Sequence, residues 1–168
     1  MDIAIRDAEP DEFDALGEIT AGAYLHDGLL DFGESDEYLG ELRDVAKRAA
    51  AAEVLVAVAD GRLLGGVTFV PSGGPMADIA RSGEAEIRML AVDRAGRGRG
   101  AGEALVRACV DRARATEGCV RIVLSTQRTM HGAHRIYERL GFVRTPERDW
   151  NPIPQLVDIT LLTYELTL

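Results

Sequence analysis

The chain has 168 residues, 46% of them hydrophobic, enough to bury a sizeable core, and reads as a single domain over 1–168. A formal net charge of −9 argues against nucleic acid or an anionic membrane as the main partner, and the longest purely apolar run, 54–59, is too short to span a bilayer. Residues 1–7 have neither the basic start nor the apolar core of a secretory signal, and Cys109 and Cys119 show no metal spacing, so two free thiols in a reducing cytoplasm are expected.

Residues 3–6 alternate and predict a short first strand. Pro10 opens a helical pattern through Phe13, Leu16, Ile19 and Ala23, spaced for one buried face. The segment 27–42 is punctuated by glycine and carries Asp27, Asp31, Glu34, Asp36, Glu37 and Glu41 with no basic residue. A second helix is predicted over 42–52. Strands at 54–59 and 63–70 meet across Asp60-Gly61, a strong hairpin signal. Two prolines and three glycines make 71–83 a loop.

The run 84–92 reads as the central strand and 103–116 as a helix. Residues 120–126 form a further strand, and 132–140 a helix stopped by Gly141. Strands from Phe142 and over 157–166, with a loop at 146–154 between them, complete the order β-α-α-β-β-β-α-β-α-β-β.

Between the central strand and its helix, Gly96, Gly98, Gly100 and Gly102 free the backbone of Cβ atoms, so several N–H groups can face one concavity. The helix behind adds its unpaired N–H donors and positive dipole end, and Arg94, Arg97 and Arg99 add charge. These are the parts of a pyrophosphate cradle. A dinucleotide fold would need an acidic residue ending the next strand, which here ends Leu124, Ser125, Thr126, Gln127; only 66 residues remain after Gly102. A Walker loop would need Gly-Lys-Ser/Thr, and the only lysine is Lys47.

Two motifs carry a resemblance. Arg97-x-x-Gly100-x-Gly102 is similar to the Arg/Gln-x-x-Gly-x-Gly/Ala signature of the GCN5-related N-acetyltransferases (GNAT superfamily), and Ala133-x-x-x-Tyr137-x-x-x-Gly141-Phe142 follows at the family's spacing. The resemblance implies a GNAT fold of mixed α/β class. Its central, mostly antiparallel twisted sheet has about seven strands, flanked by helices and splayed at the fourth and fifth. It implies acetyl-CoA as co-substrate, no metal, and direct acetyl transfer to a primary amine without an acyl-enzyme. Arg97, Gly98, Arg99, Gly100, Ala101 and Gly102 would hold the pyrophosphate. The backbone of Leu90 and Val92 would pair with the pantetheine arm, with the Leu90 N–H meeting the thioester carbonyl.

Strand alternation places Glu84, Glu86, Arg88, Leu90 and Val92 on one face. Glu86 falls where histone acetyltransferases of the superfamily carry their general base; an ion pair with Arg88 or Arg121 is the structural alternative. Tyr137 matches the tyrosine that the family uses as general acid and cofactor contact; a core aromatic is the alternative. Many members have Asn where Met130 stands, a contact that Ser125 or Thr126 could supply instead. His131 and His134 complete no metal set and read as surface helix residues.

The acceptor is a small, cationic amine if the acidic segment, with Asp31 and Glu34, acts as an attracting rim; a solvated acidic loop is the plain alternative. Trp150, the only tryptophan, sits in a loop that could line the acceptor groove or pack beneath itself. A non-catalytic acyl-CoA sensor or interaction domain would share the glycine loop. Arginine outnumbers lysine 18 to one, which with abundant Ala and Gly suggests a bacterial source. A monomer or homodimer fits either reading.

Overall fold

The computed structural model describes residues 2–71, 74–156 and 159–168. Seven strands form one sheet in the order β1-β2-β3-β4-β5-β7-β6: β1 Ala4–Asp7, β2 Glu53–Ala59, β3 Arg62–Val70, β4 Glu84–Val92, β5 Arg121–Thr126, β6 Val143–Arg144 and β7 Leu162–Thr167. All neighbours run antiparallel except β4 and β5. Five helices flank the sheet: α1 Phe13–His26, α2 Tyr38–Arg43, α3 Val45–Ala51, α4 Ala101–Ala115 and α5 His131–Arg139. Mixed α/β architecture with a mostly antiparallel seven-stranded sheet is what the resemblance implies.

The β2–β3 hairpin turns at Asp60 and Gly61, both at positive φ (51° and 73°), as a two-residue primed turn requires. The helix predicted at 42–52 covers α3 and the last two residues of α2, whose first four lie in the acidic segment before it. Asp44 leaves helical geometry between them (φ −86°, ψ 69°), and its side chain accepts from the Lys47 N–H to start α3. Arg48 then folds back so that its Nη1 donates to the Glu41 and Leu42 carbonyls at the end of α2. Against α2, α1 packs at Gly17, where a Cβ would stand 2.5 Å from the Arg43 carbonyl oxygen. The strand predicted from 157 begins regular pairing only at Leu162; Val157 and Asp158 lie outside the described residues.

On the other face, α4 buries Ala101, Leu105, Val106, Cys109, Val110 and Ala113 against the sheet. Each large apolar side chain so removed from water contributes about 1.5–3 kcal/mol. Strands β4 and β5 pair only between 84–87 and 121–124, and beyond Ile87 they part. The resulting split in the sheet is the feature that positions the site.

At the split, β4 also changes phase. Thr68 pairs with Arg88 and Gly66 with Ala91, so β4 carries a residue more than β3 can match, and Met89 takes a positive φ of 54°. The expectation of one face for Glu84 through Val92 is therefore corrected. Leu90 and Val92 pack with Ala85 and Ile87 in the α4-side core, whereas Met89 joins a cluster with Ala21, Leu39 and Leu42 from α1 and α2. A bulge turns every later side chain to the opposite face.

Candidate active site

The parted end of β4, the glycine loop with the start of α4, the start of α5 and the end of α1 enclose a cleft of about 710 Å³. Of the predicted residues, Leu90, Val92, Arg97, Gly98, Gly100, Ala101 and Gly102 line it. Arg99 is exposed in the same loop.

The loop has the form its glycines allow. Gly98 and Gly100 sit at φ 79° and 84°, with open space where a Cβ would point. Gly100 is the N-cap of α4 and, among the described residues, no side chain caps that helix; its first backbone bond, Ala104 N–H to the Gly100 carbonyl, leaves the amides of 101–103 without helical partners. At Gly102 a Cβ would stand 3.2 Å from Ile136 Cδ1, so glycine lets α5 close against α4. Arg97 does not reach over the loop. Its Nη1 and Nη2 donate to the two Asp27 carboxylate oxygens at 3.1 and 2.8 Å. Asp27 follows the last turn of α1, and the next turn is tied on its other side by Gln127 Nε2 donating to the Leu29 carbonyl at 2.6 Å. Residues 27–29 thus strap the cleft between the glycine loop and the end of β5.

Glu86 faces away from this cleft and is fully buried. Its Oε1 accepts the backbone N–H groups of Asp78, Ile79 and Ala80, each at 2.9 Å, while Oε2 is buried with no hydrogen-bond partner among the described residues. Burial pushes this carboxyl up, against the pull of the amides. Neither arginine foreseen as its partner takes it. Arg88 reaches Asp78 (3.1 Å), the Met76 carbonyl (2.9 Å) and the Tyr38 hydroxyl (3.1 Å). Arg121 goes to Glu84, which Arg148 also holds; burial raises the Glu84 carboxyl, but these arginines and the Arg81 amide outweigh it and bring it to about 2.

Tyr137 lies on the inner face of α5, 3% exposed, packed between Phe142 and Tyr164 with ring centroids 5.8 and 5.7 Å away. Burial pushes its phenol up. Ala133 and Ile136 line the cleft, and Tyr137 stands behind them. Met130 lines the cleft at the α5 N-cap, beside Thr126, whose hydroxyl donates to its sulfur. Ser125 accepts from Trp150 Nε1 at 2.9 Å, so the two polar residues considered as replacements for the motif Asn are both engaged. Trp150 is half-buried and bridges to Leu161. His134 is half-buried rather than freely exposed on its helix: its Nε2 lies 2.9 Å from the Gln127 carbonyl and its ring meets Tyr164. Asp31 and Glu34 are exposed.

Sequence reasoning missed Tyr24, Asp27 as the arginine's partner, Leu29 and Gln127. Only the helical pattern of α1 could have pointed to Tyr24, and it gave the buried face without saying what that face would meet.

Residues 14–142 match the Acetyltransferase (GNAT) family, and the chain belongs to it. Acyl-CoA-dependent acetyl transfer is the chemistry of that family. A comparison with the curated proteins gives no match. Among solved structures, yncA from Salmonella typhimurium, with its cofactor acetyl-CoA, is 21% identical with a TM-score of 0.71, over 100% of this chain and 95% of that one. A GCN5-related N-acetyltransferase from Kribbella flavida is 26% identical with a TM-score of 0.69, over 99% and 98%. The ribosomal-protein-alanine N-acetyltransferase from Brucella melitensis is 18% identical with a TM-score of 0.73, over 98% and 99%.

Proposed function

We propose that this chain is an acetyl-CoA-dependent N-acetyltransferase that moves acetyl directly onto a primary amine of a small, cationic acceptor. The observation that carries the reading is the start of α4 behind open-faced Gly98 and Gly100, on the same cleft as the end of β4, whose side toward β5 is left without a strand. Backbone amides there suit a pyrophosphate, and a strand edge suits an amide-bearing pantetheine arm. The residues present therefore fit the co-substrate.

In this reading the amides of 98–102 hold the pyrophosphate, Arg99 adds charge, and Arg97 adds its own once Asp27 releases it. The backbone of Leu90 and Val92 orients the arm, and the Leu90 N–H stabilises the developing oxyanion. Glu86, kept basic by burial, does not line the cleft, so it takes the amine proton only through a water relay that reaches its Oε2. A buried phenol protonates the leaving sulfur, and Tyr137 is the motif's candidate for it. The exposed carboxylates of Asp31, Glu34 and Glu37 draw in the cationic acceptor, with Trp150 at the rim. The protein works as a monomer or homodimer in the cytoplasm, without a metal.

A panel of amines assayed for thiol release from acetyl-CoA tests the reading. Turnover with cationic small amines is expected. Cofactor binding without turnover on any amine would favour a non-catalytic acyl-CoA sensor.

A further inference from the structure

Two phenols, Tyr24 and Tyr137, belong to the elements that enclose the cleft, and only Tyr24 lines it. Tyr24, near the end of α1, lines the cleft together with Leu90 and Met130; Tyr137 does not. Tyr24 also packs against the cluster that contains Met89, the bulged residue directly before Leu90. Tyr24 thus shares the cleft wall with Leu90, the residue whose backbone N–H is proposed to meet the thioester carbonyl.

We infer that Tyr24 is the residue that gives a proton to the departing sulfur, with Tyr137 a positioning residue behind it. This rests on the acetyl-CoA reading of the cleft. As the amine nitrogen bonds to the acetyl carbon, the C–S bond breaks and its electron pair leaves on sulfur. The Tyr24 proton then moves to sulfur. The proton shed by the amine, taken by Glu86 or water, returns through solvent to the phenolate.

Three arrangements suit Tyr24 to this work. The strap that follows it is tied on both sides, by Arg97 to Asp27 and by Gln127 to Leu29, so the end of α1 is fixed over the cleft. Its ring lies 6.3 Å from that of Tyr38, whose hydroxyl accepts from Arg88. Burial raises the phenol and keeps it protonated. Tyr38 from α2 and Tyr137 from α5 act in the same direction, while Arg88 from β4 and Arg48 from α3 temper it by favouring the phenolate that forms.

The test compares the wild type, Tyr24→Phe and Tyr137→Phe. Acetyl-CoA binding is read by thermal shift, and the thiol of bound CoA is titrated by its rate of alkylation against pH. A hydroxyl that donates to sulfur stabilises the thiolate, so Tyr24→Phe should raise the titration of bound CoA by about one pH unit. It should also cut kcat on the order of tenfold or more, and by more than Tyr137→Phe does. With acetyl-seleno-CoA, whose leaving group is a far weaker base, the Tyr24→Phe deficit should shrink; a packing defect would persist. If Phe costs the fold, a fluorotyrosine at position 24 keeps the shape, acidifies the phenol and should lower the titration. Intact binding with an unmoved titration in Tyr24→Phe overturns the assignment. Failure of the wild type to bind acetyl-CoA overturns the cleft reading, and this inference with it.

Discussion

Arg97 and Asp27, 70 positions apart, hold each other fork to fork across the mouth of the cleft at 2.8 and 3.1 Å. Both side chains are about two-fifths exposed (43% and 38%), so the pair adds little to stability, in the range of about 0–1 kcal/mol. Its interest is competition. The motif arginine expected to face a pyrophosphate is already neutralised by a carboxylate.

Asp27→Asn should therefore release Arg97 and tighten acetyl-CoA binding by about two- to tenfold, since tenfold corresponds to about 1.4 kcal/mol. Calorimetric titration checks it. Weaker binding in the variant would mean that the strap, and not the free guanidinium, builds the site.

Gly100→Asp should abolish the stabilisation that acetyl-CoA gives in a thermal-shift assay. The φ of 84° strains any side chain there, and the carboxylate would face the phosphates. Gly100→Ala separates the two effects: it carries the strain without the charge and should keep part of the shift.

Glu86→Gln tests both the base and the loop anchor. Because burial raises this carboxyl, the folded chain holds its proton more tightly than the unfolded chain. Its contribution to stability is full below the ordinary value of 4.5 and is lost as pH rises through the folded value. Gln can still accept the three amides but never ionises, so the variant should gain stability relative to wild type as pH rises. If Glu86 is the base, kcat falls by roughly 10²–10⁴ and the acid limb of the pH–rate profile moves. An unchanged rate would leave Glu86 as the anchor of 78–80 alone.

Glu84 behaves in the opposite sense. Arg148 and Arg121 bring its carboxyl to about 2, so its stability is present above 4.5 and lost as pH falls toward the folded value. Arg148→Met breaks a nearly fully buried pair and should cost about 3–5 kcal/mol in urea unfolding near neutral pH. The same variant should lose less than wild type on acidification.

Neutral amides at Asp31, Glu34 and Glu37 should lower kcat/KM for a cationic amine and flatten its decline with salt, while kcat stays unchanged. Charges more than about 8–10 Å apart are largely screened at physiological ionic strength. Asp36 is left intact, because its carboxylate accepts the Phe32 and Tyr38 amides and so holds the loop. A salt response unaltered by the substitutions would leave the segment as solvated surface.

The strands and the glycine loop were legible because their signals are local. Asp60-Gly61 needs positive φ, the central strand ends at its glycines, and Gly141 stops α5 in the left-handed region (φ 97°). The split of α2 from α3 was hidden because helix-forming residues continue through Asp44, and only the cap geometry breaks them. Arg97 with Asp27, and Gln127 with Leu29, were illegible: each joins residues 70 or more positions apart, which no window of sequence compares. The face of Glu86 was read correctly up to Arg88 and lost at Met89, since period-two counting assumes an unbroken ladder.

That extra residue at Met89 makes β4 two instruments on one string. Before it, Glu86 and Arg88 serve the 76–80 loop and α2; after it, Leu90 and Val92 serve the cleft. Substitutions upstream can retune charge on one side while the apolar wall on the other keeps its shape, and the reverse holds downstream. Deleting Met89 would fuse the halves and exchange their faces. A lineage with this strand can vary one face and keep the other, provided the count between Arg88 and Leu90 is left alone.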